Sequence, residues 1–127
     1  MSTNSLIIRK ISSGYEYIYC HWDGYPEGVG KTLNQHYTDK QKINRLFALG
    51  DLSSLESEIG KKHDFNDNNI NDTWTTSYKR DREDENTQST KTITFQQVEF
   101  SKKHSTAEYI YLYIPEYKTW LPRKIFK

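Results

Sequence analysis

The chain has 127 residues, enough for one domain with an ordinary buried core. Eighteen basic residues stand against seventeen acidic ones, a formal charge of +1, which removes any bulk electrostatic argument for nucleic acid or an anionic membrane. One cysteine excludes an internal disulfide, no apolar run approaches a membrane span and no apolar leader opens the chain, so the expectation is a soluble cytoplasmic protein.

Apolar residues make up only 34% of the sequence, so ten Tyr, five Phe and three Trp must supply much of the buried area. Residues 1–5 read as a frayed terminus. Residues 6–22 read as a β-hairpin with turn chemistry at Ser12-Ser13-Gly14. Its second strand alternates at period two, with Ile18, Cys20 and Trp22 on one face and Tyr15, Tyr17, Tyr19 and His21 on the other. Both faces carry bulk, which predicts cover on each side.

Residues 26–50 read as an αα-hairpin. Pro26 suits a first helical turn, Val29, Leu33 and Tyr37 recur at i, i+4, i+8, and a Thr38/Gln41 capping box restarts the helix. Ile43, Leu46 and Phe47 form the second apolar stripe, and Gly50 stops it. Ser53 and Glu56 have the spacing of a further cap, predicting a short helix that ends at Gly60. Residues 61–72 read as a polar loop, 73–78 as a strand, and 79–91 as an exposed, mobile, charged loop without an apolar anchor. Thr94 and Gln97 form a capping-box pattern, so residues 94–103 are predicted helical, although Thr92, Thr94 and Phe95 would also tolerate strand. The chain closes on a hairpin, with Tyr109, Tyr111 and Tyr113 opposed to Ile110, Leu112 and Ile114, and Pro122 marking an edge strand. The predicted class is α+β: a single domain whose antiparallel sheet, drawn from both ends of the chain and one middle strand, packs on the helix pair.

Residues 20–32 hold the densest chemistry. Gly28-Val29-Gly30-Lys31-Thr32 looks like the end of a P-loop, but Tyr25 stands where that motif requires its first glycine. Glycines that permit a tight strand-to-helix entry explain the run better. His21, Asp23 and His63 are candidate acid–base or metal-binding residues. Adjacent Cys20 and His21 point to opposite faces of a strand, however, and no His-x-x-x-His or Cys-x-x-Cys pair occurs, so neither a metal nor a cofactor is expected. In Tyr78-Lys79-Arg80-Asp81-Arg82, two arginines flank a carboxylate. Such a run either closes an internal ion-pair network or presents guanidinium forks to an anion. Combined with the aromatic loop, the second alternative makes His21, Trp22, Asp23, Tyr25, Tyr78, Arg80 and Arg82 the expected ligand-binding set, suited to stacking on a base and gripping a phosphate. Asp23 is the expected hinge, capping the helix near Pro26, pairing with Arg80, or both.

The segment at 20–30, Cys-His-Trp-Asp-Gly-Tyr-Pro-Glu-Gly-Val-Gly, resembles a family of small uncharacterised phage and prophage proteins. Matching segments follow in order: His36-Tyr37, Leu49-Gly50-Asp51-Leu52-Ser53-Ser54-Leu55, Lys62-His63-Asp64-Phe65, then Tyr78-x-Arg80-Asp81-Arg82, with weaker likeness at residues 109–113 and Trp120. Where the family pattern continues with Gly and Glu, this chain has Glu83 and Asp84. The resemblance implies a phage origin and names no activity. The functional expectation is an accessory or counter-defence protein that works by binding, either sequestering a small nucleotide-like ligand or blocking a host protein. The alternatives are a metal-dependent hydrolase or nuclease using His21, Asp23 and His63, and an interaction module whose tyrosine strand pairs with another chain, as in a homo-oligomer.

Overall fold

The computed structural model describes residues 2–66 and 72–125; residues 67–71 of the polar loop expected over 61–72, and Met1 of the expected frayed terminus, lie outside these. The hairpin forms as the alternation predicts. Strands β1 (Ser5–Ile11) and β2 (Gly14–Cys20) pair antiparallel from Ser5↔Cys20 to Ile11↔Gly14. Gly14 is required at the turn: its φ is +145°, and a Cβ there would stand 2.0 Å from the Thr92 carbonyl oxygen.

A π-helical turn at Pro26–Gly30 leads into α1 (Lys31–His36), and α2 (Lys40–Leu49) follows after a break. The break is capped by Asp39, whose carboxylate accepts from the Lys42 N–H at 3.0 Å, one residue beyond the Thr38 cap that the sequence suggests. Downstream come β3 (Leu52–Ser54), β4 (Thr76–Ser77), α3 (Tyr78–Arg82), β5 (Thr90–Thr92), α4 (Phe95–Glu99), α5 (Lys102–Thr106), β6 (Tyr109–Ile114) and β7 (Thr119–Lys124). The strands make one seven-stranded sheet in the order β4-β3-β2-β1-β6-β7, with β5 also on β2. The class is α+β, but the sheet is mixed and not purely antiparallel: β1 runs parallel to β6, and β2 parallel to β3. Bringing the last hairpin alongside the first strand, with α4 and α5 crossing between, imposes the parallel pair.

Both faces of the sheet are covered. Ile7, Ile18, Cys20 and Tyr111 pack with Val29, Leu33, Tyr37, Leu46, Phe47 and Trp120 on the side of α1 and α2. Leu6, Ile8, Tyr17 and Ile110 pack with Val98 and Ala107 on the other side, and Tyr15, Tyr19 and Leu112 border that cluster. The two faces predicted for residues 15–20 are therefore correct. The Thr94/Gln97 capping box is present, but the helix that it opens ends at Glu99, and a second short helix follows Ser101.

Several local expectations are overturned. Residues 2–5 are not frayed: the Thr3 carbonyl accepts from the Gly24 N–H at 2.9 Å, the Asn4 carbonyl accepts from the Glu108 N–H at 2.9 Å, and Ser5 is buried. The Ser53/Glu56 pattern opens no helix, because residues 52–54 extend the edge of β2, their carbonyls accepting from the His21 and Trp22 N–H groups at 3.0 Å. A strand over 73–78 shrinks to two residues before Ser77 caps α3 by accepting from the Arg80 N–H. Residues 79–91 are no free loop. Asp81 is buried, the Thr87 carbonyl accepts from the Asp51 N–H at 2.7 Å, and Ser89 donates to Glu16. Polar anchors of this kind leave no trace in a hydropathy pattern.

Pro122 lies in an edge strand, as predicted. The Asn34 side chain closes that edge further, donating to the Trp120 carbonyl at 3.1 Å and accepting from the Trp120 N–H at 2.8 Å. Strand β6 sits between β1 and β7, so the tyrosine strand at 109–113 has no open edge for another chain.

Candidate functional site

The aromatic loop follows directly from β2. The Asp23 carbonyl accepts from the Val29 N–H at 2.8 Å, and the Tyr25 carbonyl accepts from the Gly28 N–H at 2.9 Å. A Cβ on Gly28 would stand 2.3 Å from the Asp23 oxygen, so glycine is needed for this close return of the chain. The Gly28 and Val29 amides thus point at the loop's own carbonyls and the Gly24 amide at that of Thr3, unlike the amides of a phosphate cradle. Asp23 itself has φ +57°, and its carboxylate is exposed and accepts from the Tyr25 hydroxyl at 3.2 Å. It neither caps a helix nor meets Arg80. Asp23→Asn is therefore expected to shift stability by less than about 0.5 kcal/mol in urea titrations, asparagine being tolerant of positive φ.

Arg80 and Arg82 have separate fates. Arg80 turns inward: its Nε and Nη2 donate to Asp81 at 2.9 and 3.1 Å, while Nη1 and Nη2 donate to the carbonyls of Ile59 and Thr75 at 2.9 and 2.7 Å. The fully buried Asp81 carboxylate also accepts from the Ser77 and His63 N–H groups. His63 completes the network, with Nδ1 donating to the Lys61 carbonyl at 2.7 Å and Nε2 bonded to Thr76 at 3.0 Å. Its side chain is only 6% exposed. Arg80, Asp81 and His63 lock the β4–α3 corner and are not offered to a ligand.

Arg82 turns outward. Its guanidinium lies 4.5 Å from the Tyr78 ring centroid and 5.0 Å from that of Phe65, with the side chain half exposed, and it pairs with Asp84 at 3.2 Å. Phe65 and Tyr78 are themselves 5.4 Å apart. The Tyr78 hydroxyl lies near the Ser53 side chain, and the Ser53 carbonyl accepts from the Trp22 N–H, which leads from this group to a second one. There, His21 Nδ1 meets the Tyr19 hydroxyl at 2.9 Å, and the His21 ring stands edge-on to Trp22 at 4.8 Å. Burial, then the neighbouring Tyr78, Cys20 and Asp51, push the Tyr19 hydroxyl up to about 12. Trp22 is 45% exposed and Tyr25 is also open to solvent. The strip thus runs Trp22–His21–Tyr19, across Ser53, to Tyr78–Phe65–Arg82. No protein-family model matches the chain, and neither does any curated protein or solved structure.

No Asp23–Arg80 pair forms; the aromatic loop and the 78–82 segment follow strands on either side of β3, and the Ser53 carbonyl of β3 accepts from the Trp22 N–H. Tyr19, Ser53 and Phe65 were missing from the predicted set. Tyr19 shares the strand face of His21, a signal already present in the period-two pattern, and Phe65 is the one Phe, Tyr or Trp in residues 61–72. Among the described residues, His21, Asp23 and His63 share no hydrogen-bond partner: His21 bonds Tyr19, Asp23 bonds Tyr25, and His63 bonds Lys61 and Thr76. Among the described residues, no group of three or more His, Cys, Asp and Glu is placed to hold a metal. Cys20 is fully buried, and desolvation pushes its thiol up to about 12, a poor setting for a nucleophile.

Proposed function

We propose that this protein acts by binding a protein partner through the strip from Trp22 to Arg82, blocking or occupying that partner. What carries the reading is Arg82, spread over two rings and half exposed, together with an exposed Trp22. Trp, Tyr and Arg are the side chains that dominate binding energy at protein interfaces: the two rings bury a large area with little loss of rotamer freedom, and the planar guanidinium adds stacking and forked hydrogen bonds. The strip offers the Phe65 and Tyr78 rings side by side under Arg82, a surface suited to a broad partner. Its resemblance to phage proteins makes a host protein the partner class to test.

The test is affinity capture from host-cell extract, followed by calorimetry with the captured partner after its purification. Trp22→Ala and Arg82→Ala are expected to weaken the complex by about 2 kcal/mol or more each while leaving the melting temperature close to that of the parent. A partner that binds both variants as tightly as the parent chain overturns the proposal. Metal-dependent turnover of a nucleic acid or cyclic nucleotide that disappears on His21→Ala would favour the hydrolase alternative.

A further inference from the structure

A hollow of about 550 Å³ opens between the end of β1, the start of α2 and the β6–β7 turn, on residues that the strip does not use. Its walls carry Arg9, Lys10, Lys40 and Lys118, the ring of Tyr113, and one carboxylate, Asp39. Asp39 is engaged as the cap of α2. Arg9 is compensated: it pairs with Glu16 at 2.7 Å, donates to Asn44 and lies over the Phe47 ring at 4.5 Å. Lys10, Lys40 and Lys118 have no ion-pair partner among the described residues. Three lysines without an ion-pair partner among the described residues thus border one hollow in a chain whose whole formal charge is +1. A concave site whose basic side chains outnumber its acidic ones, here four to one, draws an anion.

The Tyr113 ring supplies the second half of a recognition site. It rests on Trp120 with centroids 4.9 Å apart, and Trp120 stacks in turn on Phe47 at 6.5 Å, so the ring is backed by the core. A fixed ring face beside mobile ammonium groups suits a ligand that has both a flat ring and phosphates. The volume lies within the range for pockets that hold small ligands. We propose that this hollow binds a nucleotide, its phosphates held by Lys10, Lys40 and Lys118 and its base laid against Tyr113. The site is independent of the protein-binding strip.

Titration calorimetry of the whole chain at low salt with ADP, AMP, adenosine and pyrophosphate tests the assignment. ADP should bind more tightly than AMP, and AMP more tightly than adenosine, because each phosphate adds a charge-assisted contact. ADP should also exceed pyrophosphate, which has no base to stack. Lys40→Gln and Lys118→Gln, both surface changes that should preserve the melting temperature, are expected to weaken ADP about tenfold each. Trp22→Ala and Arg82→Ala should leave ADP binding unchanged. The proposal is overturned by no binding at millimolar ADP, by adenosine or pyrophosphate matching ADP, or by lysine variants that bind ADP like the parent. ADP binding that is lost with Arg82→Ala and kept in the lysine variants would move the ligand to the aromatic strip and overturn it equally.

Discussion

Asp81→Ala is expected to cost about 3–5 kcal/mol, one of the two largest losses foreseen for a single change in this chain. The carboxylate is fully buried and accepts from Arg80 and from the N–H groups of Ser77 and His63. Its removal strands the Arg80 guanidinium, only 18% exposed, opposite the backbone carbonyls of Ile59 and Thr75, and leaves two amides without an acceptor. Asp81→Asn retains the shape and loses the charge, so it should fall between the parent and the alanine variant. Urea unfolding followed by tryptophan fluorescence measures both. A loss below about 1 kcal/mol for Asp81→Ala would show that Arg80 swings to water and that the corner is not held by this network.

Trp120→Ala should cost a similar amount, about 3–5 kcal/mol, for a different reason. Its ring is 1% exposed, stacks on Phe47, supports Tyr113, and donates from Nε1 to the Tyr37 carbonyl at 2.8 Å. Trp120→Phe separates the parts: it keeps most of the apolar area but orphans the buried carbonyl, for an expected loss of about 1–3 kcal/mol. Equal losses for the two variants would assign the whole effect to the hydrogen bond and none to packing. The alanine variant should also disturb Tyr113, and hence ADP affinity, whereas Asp81→Ala should not, provided that both are measured below their unfolding transitions.

The strip and the hollow answer different questions about the same small domain. The strip lies at the ends of β2 and β3 and beside α3, with His21 bonded to Tyr19 and the Ser53 carbonyl accepting from the Trp22 N–H. The hollow lies at the far end of β1, where the chain turns between β6 and β7. Trp22 and Arg82 variants probe the first and Lys40 and Lys118 variants the second, so a result at one site leaves the other standing.

Much of the fold was legible because the sequence patterns that mark it are local. Period-two alternation placed Ile18 and Cys20 opposite Tyr15, Tyr17 and Tyr19, and the 3.6-residue spacing of Val29, Leu33, Ile43 and Leu46 placed the helix pair on one face. The Thr94/Gln97 box was equally readable, since a cap depends on a few neighbouring residues. The site was legible in part. Residues 20–25 and 78–82 announced dense chemistry, and of the two uses foreseen for the arginine run Arg80 takes up the internal ion-pair network, while Arg82 turns outward over Tyr78 and pairs with Asp84.

The amino-acid sequence by itself determined the class, the two-faced hairpin, the helix pair and the edge at Pro122, because each follows from contacts within a turn or a strand. Tertiary structure alone decided that residues 52–54 are strand and not helix, since their carbonyls serve the N–H groups at the end of β2. It also decided which arginine is buried. Arg80 and Arg82 are two residues apart with the same charge and propensity, and on a helix that spacing points them to different sides. Only the position of α3 against Ile59, His63 and Thr75 makes one side interior and the other solvent. Lys10, Lys40 and Lys118 are likewise unremarkable charges spread along the chain, and packing β1 against α2 and the last hairpin is what sets them around one hollow.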